Sequence, residues 1–501
     1  MKKLGVIDLG SNTTRLIVMS YEPGYCFRLT DEVSETVRLA EGIGPSRMLQ
    51  PVPIRRAVES LRMFYALCLA TGVDQVIAVG MSAIREAANQ EAFWSALRAA
   101  TPLELRIISA EEEAYFGYLG GINALPIQTG ALFDTGGGST QVMAVRDRAL
   151  TRSFSVQAGV VRFTEQFVHS DPISRSDLRR LREAAQAAFA PLEWLPDLGH
   201  GRLGGMGGTV RQLARIDQKQ RGYPLERVHG YWLSRDALER IIDELARRPR
   251  RERLQIPGMK EERADITLAG ALIIAALLDR GGFPGLLVSG QGVREGIFYQ
   301  HFLADQPQPL LADPRRFSVL NLARLTHYEP EHCARVAQLS QSLFDQLAPL
   351  HGYGEWEREL LGYAAILHDI GVSVGYYDHH KHGEYLIHNA TLLGFSHREI
   401  VIIASLVRNH RKGWSDPAPY APILIPDDET RIARLSAMLR LAEYLERSKS
   451  QIVRDVRVQI GEAITIDIIA DGDAHVEIWE ASRRSGLLRR SFGREVQIRA
   501  A

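Results

Sequence analysis

The sequence predicts an α/β protein of two related lobes, followed by an all-α domain and a small α+β cap at the C-terminal end. Three observations carry this expectation. Strand-like apolar runs alternate with amphipathic stretches from Met1 to Phe302, the pattern of layered α/β architecture. A strand ending in Asp before a Gly/Ser/Thr turn occurs twice within that span. Beyond it the periodicity becomes helical and rich in histidine, and then alternates with a period of two.

In the first lobe, Leu4 to Asp8, Arg15 to Ser20, Gln75 to Val79 and Leu105 to Ile108 read as strands, and Pro53 to Ala70, Glu91 to Ala100 and Ala110 to Gly121 as helices. The second lobe opens with a strand at Ala131 to Asp134 and closes after a strand at Gly285 to Ser289; its helices include Ser176 to Phe189, Arg235 to Arg247 and Glu261 to Leu278. Proline-rich ADQPQPLLADP, ending at Pro314, favours an extended linker. Phe317 to about Ser448 reads as all-α. In the tail, Val456 to Ile460, Ala463 to Ile468, His475 to Trp479 and Val496 to Ile498 alternate as strands, which predicts a mainly-β cap. The expected divisions are 1–124, 125–302, a linker at 303–315, 316–448 and 449–501.

With 45% hydrophobic and 24% charged residues over 501 positions, the chain can bury several cores, which excludes disordered and fibrous classes. Sixty basic residues balance sixty acidic ones, so no net field attracts nucleic acid and any anion site has to be local. Three cysteines, Cys26, Cys68 and Cys333, form no disulfide framework and point to a reducing, cytoplasmic setting. The apolar run behind Met1-Lys2-Lys3 is broken at Asp8, too soon for a signal peptide. The longest apolar run, Leu268 to Leu278, is a core helix, well short of the ~20 residues of a membrane span.

The repeated element is VIDLGSNTT at Val6 to Thr14 and LFDTGGGST at Leu132 to Thr140. Glycines in a tight hairpin let backbone N–H groups approach an anion closely, and Ser11, Thr13, Ser139 and Thr140 add hydroxyl donors. Two such loops facing one another would hold a phosphoryl group. An Asp ending both strands would repel that group unless a divalent cation lay between, and Mg²⁺ suits a few carboxylates combined with phosphate oxygens.

The motifs IDLGSNTTRL, VGMSAIREAAN, IISAEEEAYFGY, FDTGGGSTQ, GGMGGTVRQLA, EERADITLAGALI and SGQGVREGI resemble, in order, the exopolyphosphatase and guanosine pentaphosphate phosphohydrolase family. The resemblance implies two actin-like (ribonuclease H-like) lobes with the active site between them. It further implies removal of terminal phosphate from polyphosphate or from guanosine pentaphosphate (pppGpp). The family's catalytic glutamate falls on Glu113, last of three consecutive glutamates that residue physics alone does not separate; acidic residues at a helix start are also simply favourable there. Its phosphate-clamping arginine falls on Arg85, whose structural alternative is a pair with Glu86. Asp134 falls on the magnesium-linked aspartate and Asp8 on its counterpart. Gly10, Ser11, Asn12, Thr13 and Arg15 belong to the first phosphate loop, and Gly136, Gly137, Gly138, Ser139 and Thr140 to the second. The family's loop commonly continues with a metal-associated glutamate; here Gln141 stands instead, which predicts a weaker Mg²⁺ site. Gly207, Gly208 and Thr209, with Gly290 and Gly292, mark further turns that approach the ligand in nucleotide-binding relatives.

In the helical stretch, His332 and the pair His368-Asp369 resemble the HD phosphohydrolase signature, which implies a divalent metal. Glu443 stands where its last aspartate would fall, and imidazole with carboxylate suits Mn²⁺, Fe²⁺ or Zn²⁺. His380, Lys381, His382, His410, Arg411 and Lys412 are alternatively expected along an anion track. Arginine clusters at Arg247 to Arg253, Arg175 to Arg182 and Arg483 to Arg494 offer further tracks for a polyanion. The resemblance also implies a homodimer.

The sequence therefore predicts a Mg²⁺-dependent exopolyphosphatase, with pppGpp hydrolysis as the alternative. Two further readings are an HD-type phosphohydrolase whose lobes sense nucleotide, and a non-catalytic alarmone sensor.

Overall fold

The computed structural model describes residues 1–501 except Pro45 and Lys412. The chain forms two compact units, Met1–Ala312 and Asp313–Ala501.

The first unit holds two sheets. Strands β1 (Lys2–Leu9), β2 (Thr13–Glu22), β3 (Cys26–Thr36), β4 (Gln75–Gly80) and β5 (Leu105–Ile107) are ordered β3-β2-β1-β4-β5, with β1 and β2 antiparallel and β1 and β4 parallel. Strands β6 (Gly130–Thr135), β7 (Thr140–Arg146), β8 (Ala149–Val156), β9 (Arg202–Met206), β10 (Trp232–Ser234) and β11 (Gly285–Val288) are ordered β10-β11-β9-β6-β7-β8. β6 pairs antiparallel with β7 and parallel with β9. Reading outward from β1 and from β6 gives the same order of hairpin, third strand and crossover strands. The second sheet adds only the edge strand β10. The duplication legible in two short loops thus extends to the topology of whole lobes.

Each sheet carries its own core. Ile7, Leu16 and Val18 pack on Phe64 and Leu61 of helix Pro51–Ala70, whereas Phe133 and Val142 pack against helix Thr267–Gly281. That helix begins at Thr267 instead of the expected Glu261, because Glu261–Arg263 form a separate turn of 3₁₀ helix. No helix among the described residues is long and apolar enough to cross a membrane.

The proline-rich run is extended, as its composition predicts, but it is also anchored. Asn123 Nδ2 donates to Pro309 O at 3.0 Å, and Asn123 Oδ1 accepts from Leu311 N at 2.8 Å. Asp313 then caps helix Pro314–Leu325, its side chain accepting from Arg316 N.

The second unit is helical up to Leu445 and ends in a sheet, β12 (Val453–Ile460), β13 (Ala463–Ala470) and β14 (Glu495–Ala500), ordered β12-β13-β14. Two expectations are corrected here. His475 to Trp479 is the start of helix His475–Arg484; the residues it buries, Glu477 and Ala481, are four apart, and a five-residue window is too short to separate a period of two from one of 3.6. The cap at 449–501 also has no core of its own: Val456, Ile464 and Ile466 share one with Leu339, Leu435 and Leu439 of the helices.

Candidate active site

The hairpins β1–β2 and β6–β7 place their tips side by side. Their turns close in the same way, Gly10 N–H donating to Thr13 O and Gly136 N–H to Ser139 O. Register sets Asp8 opposite Arg15 and Asp134 opposite Gln141, so the two hairpins offer equivalent positions to one space. A Cβ added at Gly137 would stand 2.8 Å from Ser11 Cβ, a distance that only glycine avoids. The tips border a cleft of about 120 Å³. Asp8, Gly10, Ser11, Asn12, Thr13 and Arg15 line it from the first lobe, and Asp134, Gly136, Gly137, Ser139 and Gln141 from the second. Gly207, Gly208 and Thr209 close another wall, and Gly292 lies 3.5 Å from Asp134 Oδ2 when given a Cβ.

Glu113 enters from helix Ala110–Ile122, and the helix start explains why it does so rather than its neighbours. Ser109 Oγ accepts from Glu112 N at 3.1 Å while Glu112 Oε2 accepts from Ser109 N at 2.9 Å, a reciprocal cap that commits Glu112. Glu111 is exposed, and Glu113, about 100° further round the helix than Glu112, is buried in the cleft wall. The Ser-x-x-Glu spacing at 109–112 was the sequence signal that could have separated them. Burial raises the Glu113 carboxyl to about 7 against the pull of Arg85, and it raises Asp8 to about 6 and Asp134 in the same direction.

Four arginines face these carboxylates. Arg15, Arg211, Arg263 and Arg294 all line the cleft. Burial lowers Arg15 to about 9 and Arg211 and Arg263 to about 10, and neighbouring guanidiniums push all three the same way. Arg294 pairs with Glu32 at 3.1 Å and Glu295 at 3.6 Å. Binding of an anion would relieve such crowding. Arg211, Arg263 and Arg294 were not singled out from the sequence because each is a lone arginine far from the others in the chain. Their only signal was membership of the motifs GGTVRQLA, EERAD and GQGVREG.

A divalent cation fits the donor set. Asp8 Oδ1 is buried and accepts no hydrogen bond among the described residues. The Asp134 carboxylate adds to the upward shift of Asp8, so the two carboxylates share one electrostatic environment. Gln141 is buried at the cleft, with its Nε2 directed to Ser139 Oγ at 3.0 Å, so that its carbonyl oxygen is the end that could coordinate a cation.

Three expected loop contacts are redistributed. Thr140 is fully buried and its hydroxyl donates to Ala158 O at 2.6 Å, so it braces β7 instead of facing the cleft. Gly138 turns toward Ser82 and an adjoining cavity of about 540 Å³. Arg85 does not line the cleft; its Nη1 donates to Ile108 O at 2.8 Å, and both Nη atoms donate to Glu113, whose buried carboxylate draws the guanidinium. Glu86, the alternative partner, pairs with Arg162 at 2.7 Å. Gly290 donates its N–H to His229 and is a turn residue.

The arginine clusters are largely committed locally. Arg253 is buried and donates to Leu245 O, Arg248 O and Ala264 O. Arg248 pairs with Glu244, Arg180 with Asp177, Arg182 with Glu239, and Arg483 lies over the Trp479 ring.

In the second unit His332, His368, Asp369 and Glu443 come together, as the resemblance to the HD signature implied. Glu443 Oε2 lies 3.2 Å from His332 Nε2 and 3.0 Å from His368 Nε2, and Asp369 Oδ2 lies 3.7 and 3.6 Å from the same atoms. His410, expected on an anion track, is instead fully buried in this cluster beside His379, which sequence reasoning did not single out. Lys412 lies outside the described residues.

The profile of the Ppx/GppA phosphatase family matches residues 17–304, and that of Ppx/GppA phosphatase domain III matches residues 315–471. A guanosine-5'-triphosphate,3'-diphosphate pyrophosphatase of Aeromonas hydrophila is 27% identical over 453 residues, 89% of this chain and 88% of that protein. Among solved structures, an exopolyphosphatase from Cytophaga hutchinsonii aligns with a TM-score of 0.56 at 24% identity, covering 62% of this chain and 100% of its own. The Ppx/GppA family member of Aquifex aeolicus aligns at 0.52 with 26% identity, over 61% and 99% of the two chains.

Proposed function

This chain belongs to the Ppx/GppA phosphatase family and is a hydrolase of phosphoanhydride bonds, and from that premise we propose that it releases terminal orthophosphate from inorganic polyphosphate. The observation that carries the reading is the convergence of Arg15, Arg211, Arg263 and Arg294 on a cleft that also contains Glu113. A bare polyanion needs charge and hydrogen-bond donors but no surface for a base. No aromatic side chain lines the cleft among the described residues.

In this mechanism the terminal phosphoryl group sits between the two hairpin turns, with their N–H groups and the Ser11, Thr13 and Ser139 hydroxyls around it. The four arginines hold its charge and that of the following phosphates. Asp8, Asp134 and the Gln141 oxygen would hold Mg²⁺, which when bound supplies charge neutralisation at the phosphoryl oxygens. Glu113 orients a water for in-line attack and takes its proton; an acidity near 7 suits a group that must both accept and return a proton near neutral pH. Arg85 acts through Glu113, fixing one carboxylate oxygen.

Hydrolysis of the 5'-γ-phosphate of pppGpp is the second reading, favoured by the Aeromonas relative. The deciding experiment incubates the purified chain with long-chain polyphosphate and with pppGpp, with and without Mg²⁺, and follows orthophosphate. Faster release from polyphosphate supports the first reading, faster release from pppGpp the second, and inertness toward both overturns them. Loss of activity in His368→Ala but not in Glu113→Gln would instead move the chemistry to the HD-type cluster.

A further inference from the structure

A second cavity, of about 540 Å³, adjoins the cleft behind the hairpin turns, and Ser11, Ser82 and Gly137 line both spaces. Its inner residues Ser11, Ser82, Ala83 and Val161 are buried, whereas Gly44, Arg47, Glu165 and Gln166 are exposed. The cavity therefore runs from the hairpin turns to the surface.

The partition between the two spaces is made of small residues. On the first lobe Ser11 Oγ and Ser82 Oγ share a hydrogen bond at 3.1 Å. Gly137 and Gly138 oppose them from the second lobe: a Cβ on Gly138 would stand 2.8 Å from Ser82 Oγ and 3.2 Å from Ser11 Oγ. The seam thus runs between the lobes, and a small separation there would join the two spaces. Beside it the lobes are tied by Glu86 to Arg162 at 2.7 Å and by the Gly42 N–H to Glu165 Oε1 at 3.3 Å, both partly exposed contacts for which water competes.

Charge is divided between the two spaces. Arg15, Arg211, Arg263 and Arg294 line the cleft, and none of the four lines the second cavity. There Arg47 and Arg162 are balanced by Glu86 and Glu165. A passage without net charge does not trap an anion.

Hydrolysis of a long chain raises a question of order. After each cut the orthophosphate lies at the hairpin turns, against the partition, while the shortened chain is still held on the arginine side. The way back through the cleft is then occupied. We propose that orthophosphate leaves through the second cavity, past the seam of Ser11 and Ser82 with Gly137 and Gly138, while the shortened polyphosphate stays in the cleft. This exit rests on the polyphosphate reading of the cleft.

The test plugs the outer mouth. Gln166→Cys places a thiol at an exposed position of the cavity, and the chain's own Cys26, Cys68 and Cys333 are buried, so pyrene maleimide attaches at 166 and mass spectrometry confirms a single label. Labelled and unlabelled Gln166→Cys are mixed rapidly with long-chain polyphosphate and Mg²⁺. Acid quenching measures all orthophosphate formed, and a fluorescent phosphate-binding protein measures what has been released. The label is expected to lower steady-state kcat about tenfold and to leave about one orthophosphate per chain formed but unreleased, as blocked product release requires. Unchanged turnover in the labelled chain overturns the exit. Slower turnover in which formed and released orthophosphate rise together overturns it as well, because the block then lies in the chemistry. Inertness of the unlabelled chain toward polyphosphate instead removes the reading of the cleft on which the exit rests.

Discussion

Both terminal nitrogens of Arg85 donate to one oxygen of Glu113, Oε2, each at 3.1 Å. The grip holds one oxygen of a buried carboxylate. The pair thereby orients the proposed water-activating group, while burial raises its pKa against the pull of Arg85.

Glu113→Gln is expected to lower kcat by about 10²–10⁴ with little change in KM, since the amide keeps the shape but accepts no proton. Steady-state phosphate release from polyphosphate measures this. A loss confined to KM would remove Glu113 from the chemistry.

The pH profile follows from the acidity of the same group. With the carboxyl at about 7, activity is expected to fall close to tenfold per unit as pH drops below that value, because only the carboxylate accepts a proton. Arg85 stabilises the carboxylate and so lowers the pKa of Glu113, and Arg85→Gln is expected to move the acid limb to higher pH as well as reduce kcat. The folded state binds this proton more tightly than the unfolded chain, whose carboxyl titrates near 4.5, so Glu113's contribution to stability declines as pH rises from about 4.5 to about 7. Rate profiles and thermal melts across pH 4 to 9 check both signs.

Gly137→Ala is expected to separate the hairpin tips, because its Cβ would meet Ser11 Cβ at 2.8 Å and Val161 Cγ2 at 3.4 Å. Overpacking of this kind costs about 1–3 kcal/mol, and kcat is expected to fall more than the melting temperature suggests. Wild-type kinetics in Gly137→Ala would show that the tips need not touch.

Arg211→Ala and Arg263→Ala are each expected to raise KM for polyphosphate by about 10–100-fold, the loss of a charge-assisted contact of about 1.5–3 kcal/mol. The exposed pair Arg250→Ala and Arg251→Ala is expected to leave KM unchanged. Parallel titrations with long-chain polyphosphate compare the two sets, and equal effects would restore the surface clusters as a substrate track.

Gln141→Glu is expected to lower the Mg²⁺ concentration needed for half-maximal activity by several-fold, because a third carboxylate joins Asp8 and Asp134. Mg²⁺ titrations of the wild-type and variant chains measure it.

Much of this architecture was written in local sequence. An apolar strand, an Asp and a small-residue turn are contiguous, so both hairpins and their duplication could be read directly, and ordered motifs carried the family across 1–302. Resemblance to the HD phosphohydrolase signature likewise brought His332, His368, Asp369 and Glu443 into view. Where the signal was short or ambiguous it failed: HVEIW alternates like a strand over five residues, yet the buried faces of Glu477 and Ala481 make it helical.

Other features belong to tertiary structure alone, because they depend on directions that no single segment encodes. The resemblance pointed to Glu113 and the local Ser109–Glu112 cap was legible in sequence, but the burial of Glu113 in the cleft wall depended on how its helix packs. Arg211, Arg263 and Arg294 are isolated charges in the chain and become one cation wall only when turns from different elements meet. The closeness of His379 and His410 is of the same kind: sequence supplied the imidazoles, and the packing of their separate helices brought them together, with His379 Nδ1 at Tyr376 O of the preceding loop and His410 Nδ1 at Val407 O.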